Sequence, residues 1–273
     1  MTNNTPKFSV IIPAYKRNEI VKVAIFSILN QNNFSKKQVE IIISDDEDDI
    51  NIRKINRNFF SDVYKDTVYT MNVNEEGPGG NRQSGFDLAK GKYVIFLDSD
   101  DRLKPNFLLE MENGINKIDC VSSVCFSVSL FEKGFSVKEK LKLLPLIFIR
   151  DVSLYAGYLF NKKTIYPSSF YLCQISHMMF KRKMIEEQKF NYDYRRGGED
   201  WDFFVQTLKK GSIAIIPKKL VIFRYSKGSS TDSLINKINK WNSYRLLRSR
   251  LTNKFQKWPY FQLMGAYIKI FGK

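Results

Sequence analysis

The sequence predicts an α/β fold on a mostly parallel sheet, and three observations carry that prediction. Apolar, β-branched runs recur along the first hundred residues: FSVIIP at 8–13, VEIIIS at 39–44 and KYVIFL at 92–97. Each suits a strand buried on both faces. Stretches of helical period separate them, giving the strand–helix alternation of a wound parallel sheet. Each run ends in polar or acidic residues, at the edge where such sheets bind ligands.

In order, Phe8–Pro13 is the first strand, and Arg17–Gln31 follows with Ile20, Ala24 and Ile28 on a helical period. Val39–Ser44 is the second strand, then comes the acidic loop Asp45–Asp49 and a helix to about Phe60. Thr67–Val73 reads as a third strand, and the loop EEGPGG leads into a helix over Asn81–Lys90. Lys92–Leu97 is the fourth strand, with DSDD directly after it and Pro105 suited to open another helix. Further on, Asp119–Phe131 reads as a strand, Glu132–Ser168 as an insertion without clean period, and Ser176–Gln188 as a helix. Tyr192–Asp202 reads as a polar bend, followed by short strands at Ile213–Ile216 and Leu220–Arg224.

Composition narrows the class. Hydrophobic residues make up 43% and charged residues 26% of 273 residues, as in a globular protein able to bury its own core. Cys120, Cys125 and Cys173 match no zinc spacing and read as small buried hydrophobes of a reducing compartment. MTNNTPKFSV lacks the apolar centre of a secretory signal, and the apolar run Leu143–Ile149 is too short to span a membrane. The expected location is cytoplasmic, with peripheral contact to the inner face of the cell membrane as an extension of that reading.

The net charge of +16 is concentrated: fifteen Lys and Arg residues between 203 and 273 face one acid, Asp232. Ile238, Trp241, Tyr244, Leu247, Leu251, Phe255 and Trp258 form one stripe of an amphipathic helix. The expected organisation is a domain at 1–232 and a basic, helical C-terminal extension at 233–273. The extension docks on the domain, on another subunit in a homo-oligomer, or on an anionic membrane surface.

Four segments carry candidate chemistry. In Asp98-Ser99-Asp100-Asp101, carboxylates at a strand end suit Mg2+ or Mn2+, with substrate phosphates completing the coordination. The plainer alternative is a polar turn with Asp101 capping the next helix. In Asp45–Asp49, either Asp45 or Asp46 is placed to accept from a base N–H, and one of the others to cap a helix. Gly77–Arg82 (GPGGNR) is neither a P-loop nor a dinucleotide fingerprint, yet its glycines, the helix start and Arg82 favour phosphate. Glu199, Asp200 and Trp201 offer a carboxylate base and a ring able to stack on a sugar, or equally a helix N-terminus with Trp201 in the core.

SVIIPAYKR, IIISDD, GPGGNRQSGFDLAKGKYVIFLDSDD and GGEDWDFF, in this order over residues 7–231, resemble the family 2 glycosyltransferases of the GT-A fold. The resemblance implies a Rossmann-like sheet flanked by helices, with a nucleotide-sugar half at 1–101 and an acceptor half at 102–232. It implies that Pro13, Ala14, Tyr15 and Arg17 line the nucleotide pocket and that Asp45 meets the base, usually uracil. Arg82 would support the nucleotide or diphosphate. Asp98, with Ser99 beside it, would lie near ribose and metal, and Asp100 would ligate the Mn2+ or Mg2+. Asp200 would be the general base, with Glu199 and Trp201 facing the acceptor. Glu47 and Asp48 depart from the family's Gly-Ser, and Ser226 stands where a metal-ligating His is frequent, with Lys227 beside it. The implied activity is inverting transfer of a sugar from a nucleotide diphosphate, usually UDP, to a glycan or lipid-linked acceptor in cell-surface polysaccharide synthesis. A sugar nucleotidyltransferase would open with a Gly-rich GxGxR loop, which SVIIPAYKR lacks. A basic nucleic-acid-binding protein would not gather its acids at the strand ends and its bases in a tail, so no nucleic-acid partner is expected.

Overall fold

The computed structural model describes residues 5–225 apart from Arg17, Asp119, Lys133, most of 138–173 and 195–197. Expectations for Arg17, Cys173, Ser226, Lys227, the extension at 233–273 and most of the 132–168 insertion lie outside the described residues.

The first half follows the sequence pattern. Strands β1 (Phe8–Ala14), β2 (Val39–Asp45), β3 (Val68–Met71) and β4 (Tyr93–Phe96) alternate with helices α1 (Asn18–Leu29), α2 (Ile50–Val63) and α3 (Pro78–Phe86). The strands pair in parallel in the order β3-β2-β1-β4, with Ile11 of β1 beside Ile42 of β2 and Phe96 of β4. Helix α3 begins three residues before the expected start, because Pro78 takes the first helical position, where its missing N–H costs nothing. Gly80 in its first turn is required by packing: a Cβ there would lie 1.9 Å from the Glu75 carbonyl oxygen.

The chain continues through β5 (Arg102–Leu103), α4 (Phe107–Ile118), β6 (Ser122–Phe131), β7 (Thr164–Ile165), β8 (Met178–Lys181), α5 (Arg182–Ile185), α6 (Glu199–Lys210) and β9 (Ile213–Tyr225). Among the described residues one nine-stranded sheet runs β3-β2-β1-β4-β8-β6-β9-β5, with β7 also on β9. Strand β8 lies antiparallel between β4 and β6. This corrects the helix expected over 176–188. Met178, Met179 and Phe180 are all buried, so the segment serves both faces of the sheet rather than one side of a helix. The two short strands expected after 213 are one strand, whose pairing with β6 shifts register near Phe126 and absorbs the exposed Pro217–Lys219.

Alternation along the strands builds two cores. Val10, Ile12, Ile41, Ile43 and Ile95 face α1, α2 and α4, with Phe60, Phe107 and Met111. Ile11, Ile42, Val94 and Phe96 face α3 and α6, with Phe86, Phe203 and Leu208. The same parity, carried to the end of β2 and just past the ends of β2 and β4, separates the acids: Asp45 continues the first face, while Asp46 and Asp98 continue the second.

Candidate active site

The second face ends in a cluster of charges around one arginine. Arg82 is 6% exposed and stands on α3 just after its first turn. Its Nη2 donates to Asp98 Oδ1 at 2.7 Å, and its Nη1 donates to Glu199 Oε1 at 2.7 Å. Three elements therefore meet on one guanidinium: α3, the end of β4 and the first turn of α6. Burial opposes its charge, but Asp98, Glu199 and Asp200 more than offset that and raise its pKa.

Aromatic packing beneath the cluster sets its spacing. Phe96, two residues before Asp98, meets Phe180, Phe190 and Phe203 edge-on at 5.9, 5.2 and 5.6 Å, and Phe190 stacks on Phe203 at 4.4 Å. Phe203 lies one turn into α6 from Asp200. Gly198 precedes that helix with φ 108°, a left-handed turn that brings the chain in sharply.

Asp200 is half-buried in the first turn of α6, and its Oδ1 accepts from the Trp201 N–H at 2.9 Å. Burial, then the neighbouring Glu199 and Asp98, push its carboxyl up to about 7, against the pull of Arg82 and the Trp201 amide. It is thus poised to gain and lose a proton near neutrality. Glu199, expected to face an acceptor, is instead 4% exposed, paired to Arg82 and packed against Gly79 of α3. Its place is inside the cluster. Trp201 is half-buried against the core of this face, which fits the helix-start alternative for the segment.

In the DSDD run, Asp98, Ser99 and Asp100 are half-buried at the strand end. Two carboxylates there are hard oxygen ligands of the kind Mg2+ or Mn2+ takes alongside phosphates and waters. Among the described residues no group of three or more His, Cys, Asp or Glu side chains is arranged to hold a metal by itself. Asp101 does not cap α4, which starts at Phe107. It is completely buried, accepting from Ser176 Oγ at 2.5 Å and from the Arg224 N–H at 3.2 Å. Burial and the adjacent Asp98 and Asp100 hold its carboxyl well above the usual range, against those two hydrogen bonds.

At the neighbouring strand ends, Pro13 is half-buried, Ala14 is buried and Tyr15 is exposed, with Lys16 Nζ 4.8 Å over its ring. The Ala14 carbonyl accepts from the Asp46 N–H at 3.0 Å and from Asn81 Nδ2 at 3.1 Å. Asp45, expected at the base, turns toward α2. Its Oδ1 accepts from the Glu47 N–H, and its Oδ2 accepts from Asn56 Nδ2 at 2.7 Å and Tyr69 OH at 2.6 Å. Asp46 turns to the Arg82 side, where its oxygens accept from Asn72 Nδ2 at 2.7 Å and the Gly77 N–H at 3.0 Å. The residues alone leave open which of the pair faces the site, and the family resemblance implies Asp45. Counting parity from the buried isoleucines of VEIIIS separates them. Asn81 and Ser176 carried no sequence signal of their own.

A parallel half, β3-β2-β1-β4, joined through antiparallel β8 to a mixed half in which β6 and β9 run parallel, with carboxylates and an arginine on the carboxyl edge of the strands, is the arrangement of the GT-A fold. Solved structures share this fold: Staphylococcus aureus TarS 1–349 in complex with UDP-GlcNAc has a TM-score of 0.62 at 17% identity, covering 96% of this chain and 71% of that one. The mannosyltransferase PcManGT from Pyrobaculum calidifontis, in complex with GDP-Man and Mn2+, has a TM-score of 0.66 at 14% identity, covering 98% and 71%. The glycosyl transferase family 2 model matches residues 9–188, and the chain belongs to that family. Among its relatives is the GalNAc(5)-diNAcBac-PP-undecaprenol beta-1,3-glucosyltransferase of Campylobacter jejuni, 28% identical over 246 residues, 88% of this chain and 71% of that protein. The amylovoran biosynthesis glycosyltransferase AmsB of Erwinia amylovora is 28% identical over 210 residues, 75% of this chain and 64% of that protein.

Proposed function

We propose that this glycosyltransferase moves a sugar, with inversion, from a UDP-sugar to a hydroxyl of a lipid-linked or cell-surface glycan. The observation that carries the reading is the Arg82 cluster. It sets a carboxylate of near-neutral proton affinity, Asp200, beside the strand-end carboxylates suited to a metal-bound diphosphate. Asp98 and Asp100 would hold a divalent cation, which when bound supplies positive charge against the donor's phosphates. Asp200 takes the proton from the acceptor hydroxyl. The oxygen then forms its bond to the anomeric carbon as the bond to the diphosphate breaks on the opposite face, and this single displacement inverts the configuration. Arg82 stabilises charge on the departing diphosphate while holding Glu199 in place.

Tyr15 and the β1 end are available to the base. Asp46, on the Arg82 face, is better placed than Asp45 to read a base N–H, and Trp201 borders the acceptor side. The lipid-linked and polysaccharide acceptors named for the two relatives support an acceptor of that class. No described helix is long and apolar enough to cross a membrane. The basic, amphipathic sequence of the extension at 233–273 suits it either to dock on the domain or another subunit or to contact an anionic membrane.

The test is incubation with UDP-glucose or UDP-N-acetylglucosamine, Mn2+ and an undecaprenyl-diphosphate-linked glycan. Release of UDP with a β-linked product from an α-linked donor is expected. A retained configuration, or turnover with GDP-mannose only, overturns the mechanism or the donor class respectively.

A further inference from the structure

Asp101 is withdrawn from solvent completely, unlike the half-buried Asp98, Ser99 and Asp100. With no accessible surface it cannot itself touch donor or cation, yet it lies one residue from Asp100. Its backbone N–H donates to the Asp98 carbonyl at 3.0 Å and closes the turn. Its two carboxylate oxygens reach in different directions. Oδ2 accepts from Ser176 Oγ at 2.5 Å, in the 3-10 turn Ile175–His177 that leads into β8, and Ser176 is itself fully buried. Oδ1 accepts from the Arg224 N–H at 3.2 Å, near the end of β9. Directly afterwards Arg102 and Leu103 pair with Ile222 and Val221, and the Lys104 N–H donates to the Leu220 carbonyl at 2.8 Å. The turn bearing Asp98 and Asp100 is thus fastened from beneath to the 3-10 turn before β8 and to β9, both in the other half of the sheet.

We propose that Asp101 and Ser176 are positioning residues for the donor: their hydrogen bond fixes the Asp98–Asp100 turn at the spacing that lets its carboxylates engage a cation-bound diphosphate. The inference rests on the assignment of Asp98 and Asp100 made above. The physical reason is tolerance. Mg2+ and ions like it demand near-ideal octahedral geometry at short distances, so a turn loosened by a fraction of an ångström loses the ion before it loses the fold. Groups that orient metal-holding carboxylates are worth about 10–100-fold in metal affinity.

The experiment is calorimetric titration of the full chain with UDP, once with Mn2+ and once with EDTA, for wild type, Ser176→Ala, Asp101→Asn and Asp101→Ala. Wild type should bind UDP more tightly with Mn2+. Ser176→Ala should cut that Mn2+-dependent gain about tenfold while leaving UDP binding in EDTA and the acceptor KM unchanged. Asp101→Asn keeps an acceptor for the Arg224 amide and presents an N–H to the Ser176 hydroxyl, so it should hold the gain within about twofold, and Asp101→Ala should abolish it. Should Asp101→Ala fail to fold, the other two variants carry the test. An unchanged gain in Ser176→Ala overturns the proposal whatever happens to its melting temperature, as does an Asp101→Asn variant as damaged as Asp101→Ala. A wild type with no Mn2+-dependent gain overturns the assignment of Asp98 and Asp100 itself, a result distinct from a wild-type gain that the variants retain.

Discussion

Two acidic runs end neighbouring strands of this sheet, and they meet opposite fates. In Asp45–Asp49 the protein's own neutral donors take up the oxygens. Asp45 holds Asn56, Tyr69 and an amide, Glu47 accepts from the N–H groups of Asp48 and Asp49, and Asp49 caps α2 through Asn51 and Ile52. In Asp98–Asp101 only Asp101 is drawn inward. Asp98 is balanced by the buried guanidinium that also steadies Glu199 beside Asp200. A dense run of acids is therefore no measure of a site. What differs is the partner: neutral hydrogen-bond donors for Asp45, Glu47 and Asp49, and, on the function proposed above, a cation with its phosphates at the end of β4.

That contrast can be broken at four points. The largest effect belongs to Asp200→Asn, expected to lower turnover by about 10²–10⁴-fold while UDP binding persists, since a general base is lost and the donor contacts are not. Near-normal turnover in single-turnover assays would remove Asp200 from the role. The same residue sets a pH dependence. Its carboxylate form is the base, so kcat/KM should rise with pH through about 7. Its folded carboxyl keeps a proton to about 7 and its unfolded one to about 4. Stability contributed by the protonated form is therefore lost as pH rises across that window, and a chemical-denaturation series should show the slope flattened in Asp200→Asn.

Next, Asp100→Ala should remove the Mn2+-dependent gain in UDP affinity with little change in melting temperature. A titration showing the gain intact would send the metal elsewhere. Third, Asp45→Ala should act in the reverse sense. It strands Asn56, Tyr69 and the Glu47 amide, costs about 1–3 kcal/mol of stability in denaturant melts, and leaves the Mn2+-dependent gain in place. Last and smallest, Asp49→Ala should cost about 1 kcal/mol by uncapping α2, with turnover unchanged. Loss of turnover in either loop variant at full stability would place Asp45 or Asp49 in the site beside Asp46.

Strands buried on both faces announce themselves as apolar runs, so β1, β2 and β4 and the helices between them were legible, and with them the edge on which the acids gather. The motif order singled out Arg82, Asp98, Asp100 and Asp200. What escaped was set by partners distant in sequence. Met178–Phe180 is a strand because β4 and β6 flank it, a fact no local period contains. Glu199 lies inside because Arg82, 117 residues earlier, draws it there. Asp45 and Asp46 look interchangeable in the acidic loop, and strand parity alone sends one inward and the other toward the site.

The antiparallel strand β8 has one more consequence. By joining β4 to β6 it makes a single sheet of the two halves, and both cores cross the join: Ile11 and Ile42 share one with Phe203 and Ile213, Val10 and Ile12 share the other with Met179 and Val221. Hinge bending between the halves would have to split both apolar layers, so they move as one body. The floor that carries Phe96 and Asp98 is thereby held by packing on both faces of one continuous sheet.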